Sequence, residues 1–282
     1  MIEAPRPLGF LGAGPRAGAG WAIIGAPLDV TVSFRPGSRF GPSAIRSASW
    51  VLEDWSPALR QQFAGVWDAG DLEFAPGLIE PSLEFLRTTV GELSASGLRV
   101  LLLGGEHLVT LPAVEAAAAR HPGLRVLQFD AHADLRDAYM GLRASHATVM
   151  RRVAEVVGPE RVYQAGIRSG TAEEWRFASS THFLADEVRL PESWRADLAA
   201  GPIYVTVDVD CADPAFAPGT GTPEPGGASA RELLRAVVDL RGLDIVGADV
   251  VEVAPAYDPS GITAILAAKV VRELLLAAAV RE

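Results

Sequence analysis

The sequence of 282 residues predicts one α/β domain built around a mainly parallel sheet. Short aliphatic runs recur along the chain, they are continuously apolar instead of alternating, and helix-like segments separate them. Strands buried on both faces of a parallel sheet show this continuous pattern. Strand–helix alternation without a repeat or linker indicates a single domain. We therefore expect a single catalytic domain over 19–282, preceded by a flexible arm rich in Gly, Pro and Ala over 1–18.

Six β-branched and aliphatic runs are predicted to be strands, because they are continuously apolar instead of alternating. The carboxyl ends of such strands are expected to lie along one edge of the sheet. The runs are WAIIG (21–25), RVLLLGG (99–105), RVLQFD (125–130), RVYQAG (161–166), IYVTVD (203–208) and IVGADVVEV (245–253).

Five further segments are predicted to be helices. Ser229 with Glu232, and Thr171 with Glu174, form capping-box patterns that mark helix starts. The last segment is apolar on most of its faces, so it is expected to be well buried. The predicted ranges are 81–96, 111–120, 229–240 and 262–280, with a further helix that starts after Thr171.

The composition excludes several classes of function. Hydrophobic residues make up 49% of the chain and the net charge is −10, with a pI near 5.1. No run of Lys or Arg suits nucleic acid or an anionic membrane, whereas an acidic surface mildly favours a cationic ligand. The only cysteine is Cys211, so no intrachain disulfide can form and a reducing compartment fits.

The chain also lacks the features of an exported or membrane protein. The start MIEAPRPLGF has no basic region followed by a continuous apolar stretch, as a signal peptide has. The apolar segments 98–103 and 274–280 are too short to span a bilayer. A soluble, cytoplasmic protein is therefore expected.

Acidic and imidazole side chains follow four of the predicted strands. They stand in GGEH (104–107), DAHAD (130–134), DVD (208–210) and VVEV (250–253). Since parallel strands end at one edge of the sheet, groups distant in sequence are expected to converge there. The loop 211–227, with four prolines and four glycines, lies beside them. The converging candidates for metal ligands are His107, Asp130, His132, Asp134, Asp208 and Asp210.

Four carboxylates cannot stay ionised together without cations, because like charges oppose one another's ionisation. Two divalent ions balance four negative charges, and a set of oxygen and imidazole ligands without thiolate suits Mn²⁺. Carboxylates that bridge two ions hold them roughly 3.5–4 Å apart, as in two-metal hydrolytic sites that activate water. His121 and His182 lack this context and are interpreted as structural or surface residues. Cys211 is interpreted as small apolar filler.

Several long motifs resemble the arginase/agmatinase (ureohydrolase) family. They are GGEH, DAHADLR, SHATVMRR, VTVDVDCADPAFAPGTGTPEPGG and GADVVEVAPAYD, and GAPLDVTVSFRPGSRFGPSAIR resembles the agmatinase branch. The resemblance covers roughly 20–280. It implies an arginase-like three-layer α/β/α fold with a parallel sheet of about eight strands, two Mn²⁺ per chain, and assembly as a homo-trimer or hexamer.

The resemblance also implies roles for individual residues. His107 and Asp134 correspond to terminal ligands of one metal, His132 and Asp210 to terminal ligands of the other, and Asp130 and Asp208 to bridging ligands.

Three residues are implied in catalysis or substrate binding. His146 in SHATV matches a mobile histidine that shuttles protons, and Glu252 in VVEVAP matches the carboxylate that grips a guanidinium. Asp134 is counted with them as a catalytic residue. The sequence departs from the family at Ala147, where Gly is frequent, at Cys211, and in GGEH, which replaces GGDH. Ala147 alters the substrate-side loop.

The predicted reaction splits a small cationic guanidino compound into urea and an amine, with agmatine preferred. Loop 135–144 lacks the Asn, Ser and Thr with which arginases read an amino acid. A guanidino acid such as guanidinobutyrate is the alternative if an arginine near that loop points inward. Hydrolysis of formiminoglutamate, a single-metal deacylase on a related fold and a non-catalytic binding subunit remain open. The arginines concerned are Arg136, Arg143, Arg151 and Arg152.

Overall fold

The structure of the protein is a computed structural model and describes residues 9–279. Eight parallel strands form its central sheet. The strands of the chain are β1 (Trp21–Ala26), β2 (Trp55–Ser56), β3 (Gln61–Gln62), β4 (Val66–Asp71), β5 (Arg99–Gly104), β6 (Arg125–Phe129), β7 (Val162–Ile167), β8 (His182–Ala185), β9 (Ile203–Asp208) and β10 (Ile245–Val251). The order across the sheet is β4-β1-β5-β10-β9-β6-β7-β8, and β2 pairs with β3 in a separate antiparallel hairpin.

The predicted parallel sheet is confirmed, and all six predicted runs form strands within it. Every residue of β1, β7 and β9 is buried, which explains their continuous apolar sequences. The edge strands β4 and β8 are partly exposed, and their sequences VWDAGD and HFLA lack the continuous pattern. The sequence interpretation missed both strands for this reason.

Helices cover both faces of the sheet. In the described residues α1, α7 and α8 pack together on one side, while α2, α3 and α4 pack together on the other. The expected three-layer α/β/α architecture is therefore confirmed. The helices are α1 (Gly41–Ser49), α2 (Ile79–Ala95), α3 (Thr110–Arg120), α4 (Val149–Val157), α5 (Ala172–Ala178), α6 (Glu192–Leu198), α7 (Ala230–Val238) and α8 (Ile262–Ala277).

The five predicted helices correspond to α2, α3, α5, α7 and α8, and both predicted capping boxes are present. Helix α8 is buried along most of its length, as its apolar sequence predicts. The sequence interpretation did not identify α1, α4 or α6. Val280, the predicted end of the last helix, lies outside the described residues. Within residues 9–279, no helix has the length and apolar character needed to cross a bilayer.

Part of the predicted N-terminal arm packs against β4. Residues 1–8 lie outside the described residues. From residue 9 onward the chain is attached to the domain: Phe10 is fully buried and its N–H donates to Asp68 at 2.7 Å. Gly14 forms an isolated bridge with Trp67. The buried phenyl ring explains why this part of the arm is held in place.

The GGEH loop after β5 packs tightly against the loop after β1. A Cβ atom at Gly105 would lie 1.9 Å from the Leu28 carbonyl oxygen, so only glycine fits there. The Gly105 N–H donates to Ala26 and the Glu106 N–H donates to Leu28, at 2.9 and 2.7 Å. These contacts bring the loop after β1 to the carboxyl edge of the sheet.

Candidate active site

The six residues predicted as metal ligands converge at the carboxyl edge of the sheet. Two groups have ligand atoms that all lie within 4.8 Å of one another: His107 with Asp130 and Asp134, and Asp130 with His132 and Asp210. Asp130 belongs to both groups. The sixth residue, Asp208, places Oδ2 3.5 Å from the His107 Nδ1. Two adjacent cation sites that share a carboxylate are consistent with this arrangement.

Neighbouring hydrogen bonds fix the directions of the candidate ligand carboxylates. Asp130 accepts from the His132 N–H and from Gln128 Nε2, both at 2.6 Å. Asp210 accepts from the Ala131 N–H at 3.1 Å, and the Asp210 N–H donates to Asp208 at 2.9 Å. Because these partners come from the strand ends themselves, the carboxylates are held before any ligand arrives.

The chemistry of His107 fits a metal. Its Nδ1 is buried and lies 3.1 Å from an oxygen of Asp130 and of Asp134, yet it forms no hydrogen bond. Its Nε2 lies 2.9 Å from the Thr206 hydroxyl, which fixes the other side of the ring. When Nε2 carries the proton, a nitrogen lone pair faces two carboxylates. A metal cation among them makes that arrangement favourable.

The charges of the cluster also require positive partners. Burial raises the pKa of Asp134 to about 7, with Asp130 adding repulsion. Burial and the neighbouring carboxylates raise the pKa of Asp208 well above its ordinary value. Burial acts against protonation of His132, but Asp210 and Asp130 raise its pKa to about 12. Divalent cations remove the need for these protons, because they favour the ionised carboxylates.

Two residues of the site have strained backbones. Asp134 has a φ of 53° and Glu252 a φ of 65°, in the left-handed region that non-glycine residues rarely adopt. Such strain costs about 1–3 kcal/mol per residue and persists where the surrounding structure fixes it. Here it aims two carboxylates at the same pocket, because Glu252 and Asp134 both line it.

A pocket of about 290 Å³ opens above the cluster. Glu252, directly after β10, lines its floor and accepts a hydrogen bond from the His107 N–H at 2.7 Å. Burial, followed by repulsion from Glu106, raises the pKa of Glu252 to about 8. A guanidinium in this pocket would favour the ionised form of that carboxylate.

His146 lies at the pocket wall, at the start of a short 3₁₀ turn capped by Ser145. Its Nδ1 lies 3.2 Å from the Thr31 hydroxyl and its Nε2 lies 3.4 Å from the Ser33 hydroxyl. Burial lowers the pKa of His146 to about 4, so the ring is neutral at pH 7. The neutral ring can accept a proton at the pocket.

Sequence reasoning missed the contacts of the loop after β1. In the sequence, Thr31 and Ser33 stand out only as part of a motif that resembles one branch of the family, and Glu106 only as a departure from GGDH. The structure places Thr31 between Glu106 and His146. No local pattern marks these residues, since they reach the site through the tight packing at Gly105.

Three of the four arginines near loop 135–144 are occupied away from the pocket. Arg143 and Arg152 pair with Asp137 and Glu155. Arg151 stacks on Phe177 at 3.9 Å. Of the four, only Arg136 lines the pocket.

Arg136 already has two partners within the protein. Its guanidinium lies 4.8 Å from the ring centroid of Tyr139, and its Nε lies 3.6 Å from a Glu174 oxygen. Both partners line the same pocket. The carboxylate of Glu174 offsets the positive charge that Arg136 brings to the pocket.

The remaining candidates lie where structural roles are expected. Cys211 is fully buried in the hydrophobic core, and burial raises the pKa of its thiol. His182 stacks on Tyr163 with ring centroids 4.1 Å apart. In the part of the chain that the structure describes, neither His182 nor His121 belongs to a cluster that could hold a metal.

Known proteins show the same arrangement of sequence and fold. Residues 19–277 match the model of the arginase family. The chain is 48% identical over 261 residues to an agmatinase of Halalkalibacterium halodurans, covering 90% of each chain. The agmatine ureohydrolase of Thermoplasma volcanium superposes with a TM-score of 0.86 and 30% identity, over 97% of this chain and 94% of that one. The proclavaminate amidino hydrolase of Streptomyces clavuligerus superposes with a TM-score of 0.86 and 33% identity, over 97% of each chain.

Proposed function

The chain belongs to the arginase family, and from this premise we propose that it is an agmatinase, which hydrolyses agmatine to putrescine and urea. The observation that carries the proposal is 48% identity to an agmatinase across 90% of both chains. The pocket supports it, because carboxylates and a neutral histidine surround a space suited to a small cation.

We propose that two manganese ions occupy the carboxylate cluster. His107 and Asp134 would hold one ion and His132 and Asp210 the other, with Asp130 and Asp208 shared between them. The sharing of Asp130 by both candidate groups supports this assignment. When bound, such a pair supplies a water activated for attack at neutral pH.

The chain's own residues supply substrate orientation and proton transfer. Glu252 accepts hydrogen bonds from two N–H groups of the guanidinium, since paired N–H···O bonds to a carboxylate fix both the position and the plane of the guanidinium. The His107 N–H holds Glu252 in place for this task. His146 accepts through Nε2 a proton lost by the attacking water and delivers it to the departing amine, which cannot leave as an anion.

A guanidino acid is the second candidate substrate, and Arg136 is the observation that favours it. Arg136 lines the pocket and its side chain is 38% exposed, so it could contact a carboxylate tail. Against this, Glu174 lies 3.6 Å from Arg136 and lines the pocket too. The acidic partner favours an amine tail, so agmatine remains the proposed substrate.

The test compares kcat/KM for agmatine, arginine and guanidinobutyrate under the same Mn²⁺ loading. Agmatine should lead by at least tenfold, or about 1.4 kcal/mol of differential transition-state binding. Arg136→Ala should raise the preference for agmatine over guanidinobutyrate by about 2–5-fold, the size of a partly exposed charge contact. Guanidinobutyrate leading in the unmodified protein would refute the assignment of agmatine without refuting urea release.

Assembly as a trimer or hexamer and a cytoplasmic location stay predictions. Light scattering coupled to size-exclusion chromatography would measure the molar mass of the assembly and hence the number of subunits.

A further inference from the structure

We propose that Glu106, acting through Thr31, fixes the orientation and the tautomer of His146, so that Nε2 faces the pocket as a proton acceptor. Glu106 and Thr31 are positioning residues in this proposal, because neither is required to touch the substrate. The inference rests on the proposed function only where turnover is the readout.

Glu106 is fully buried, and its carboxylate points to the loop after β1. It accepts from the Thr31 hydroxyl at 2.7 Å, from the Thr31 N–H at 2.9 Å and from the Val30 N–H at 3.2 Å. No ion pair within residues 9–279 includes it. Burying a carboxylate without a cationic partner costs free energy, and the three hydrogen bonds offset that cost. Neither solubility nor charge balance explains the position of Glu106.

The Thr31 hydroxyl has one proton to donate and two lone pairs to offer. Both oxygens of Glu106 already accept from backbone N–H groups, which can only donate. An ionised Glu106 offers only lone pairs, so the hydroxyl proton of Thr31 points to that carboxylate. The lone pairs of Thr31 then face the His146 N–H at 3.0 Å and the His146 Nδ1 at 3.2 Å.

An acceptor opposite Nδ1 places the imidazole proton on that nitrogen, as hydrogen-bond partners decide the tautomer of a histidine. Nε2 is left with a lone pair, on the side of the ring where Ser33 lies 3.4 Å away. The edge of the Tyr139 ring packs against the imidazole, with centroids 5.7 Å apart. The ring is thus held in the form that can take up a proton.

The backbone explains how this contact is delivered. Gly105 lets the loop after β1 pack against GGEH at a distance that excludes any side chain. The Gly105 carbonyl also accepts the Glu252 N–H at 2.9 Å. The loop that supplies Glu106 therefore supports both the guanidinium-binding carboxylate and the histidine that moves the proton.

The first test compares Thr31→Val, which removes the hydroxyl, with Thr31→Ser, which keeps it. For agmatine hydrolysis, Thr31→Val should lower kcat by about 10–100-fold, below the 10²–10⁴-fold of a lost acid–base group. KM should change less than about 2-fold and Mn²⁺ content should not change, whereas Thr31→Ser should restore most of kcat. Ser82→Ala, which removes a buried hydroxyl from α2, is the control for the melting temperature.

The second test asks whether Glu106 acts through Thr31. Glu106→Gln alone should lower kcat, but in a Thr31→Val background it should add less than about a 2-fold loss, because coupled residues are not additive. Fully additive losses, or a Thr31→Val protein with a lowered melting temperature and unchanged kcat, would overturn the proposal. Failure of Thr31→Ser to restore kcat would overturn it as well.

A third measurement does not depend on the substrate. The chain has five histidines, so ¹⁵N NMR of the imidazole rings can resolve the tautomer of each in protein loaded with diamagnetic Mg²⁺. The resonance missing from His146→Ala assigns the ring. It should report Nδ1–H in the unmodified protein and a shift toward Nε2–H in Thr31→Val; the same tautomer in both would refute the inference. Absent urea release in the unmodified protein would instead refute the proposed function.

Discussion

Replacing Asp130 with Asn tests whether this carboxylate, which belongs to both candidate ligand groups, is shared by two metal ions. Asp130 is fully buried, and its two oxygens accept from the His132 N–H and from Gln128 Nε2. An Asn amide group would face one of these donors in either orientation. The unsatisfied donor costs about 1–3 kcal/mol. In a chain of this size that lowers the melting temperature by about 2–4 °C for each kcal/mol.

The larger effect of Asp130→Asn concerns the metals. Loss of an outer-shell partner alone weakens metal binding by about 10–100-fold, and Asp130 belongs to both candidate ligand groups. We therefore expect Mn²⁺ affinity to fall by about 10²-fold or more, with fewer than two ions per chain and almost no urea release.

Equilibrium dialysis with elemental analysis measures the stoichiometry, and a urea assay measures turnover. Asp134→Asn, in one ligand group only, should retain one ion. Asp137→Asn is the matched control, because its half-exposed carboxylate contacts Arg152 and Arg143 and lies outside both groups. Two tightly held ions in an active Asp130→Asn protein would refute the assignment of the shared ligand.

His146→Ala should keep both metals and lose about 10²–10⁴-fold in kcat for agmatine, since it removes a proton carrier and no ligand; metal loss, or an unchanged kcat, would contradict that role. The metal-free protein should lose stability as pH rises from about 5 to 8. Burial raises the pKa of Asp134 to about 7 and of Glu252 to about 8, from 3.8 and 4.5. Between the ordinary and the raised pKa of each group, the folded state holds a proton that the unfolded state has released. The free energy of unfolding then falls by up to about 1.4 kcal/mol per pH unit for each group. Melting curves in EDTA and in Mn²⁺ should therefore show a metal-induced gain that grows with pH, and a gain that shrinks would refute this account.

The convergence of the six candidate metal ligands could be predicted from the sequence because its signal is local. Asp130, His132 and Asp134 alternate directly after an apolar run, and Asp208 and Asp210 repeat the pattern. Parallel strands then bring these ends together without any further information. The same logic failed at β4 and β8, whose partly exposed edges remove the continuous apolar pattern.

The contacts around His146 could not be predicted, because they depend on packing between segments far apart in sequence. Thr31 and His146 are 115 residues apart, and Glu106 is 75 residues from Thr31. Nothing in the loop after β1 marks its hydroxyl as an acceptor for an imidazole. The decisive feature is the absent side chain at Gly105, whose effect appears only once Leu28 lies against it.

The GGEH loop therefore carries more than a candidate metal ligand. His107 turns Nδ1 to the carboxylates and donates its N–H to Glu252, which links the candidate metal ligands to the carboxylate proposed to bind the guanidinium. Glu106, one residue earlier, reaches His146, the proposed proton carrier, through Thr31. Water activation, substrate orientation and proton transfer must occur within one small pocket, and a rigid bend of consecutive residues keeps their geometry fixed relative to one another. The strained backbone of Glu252 is consistent with this demand, since its N–H is held by the same bend.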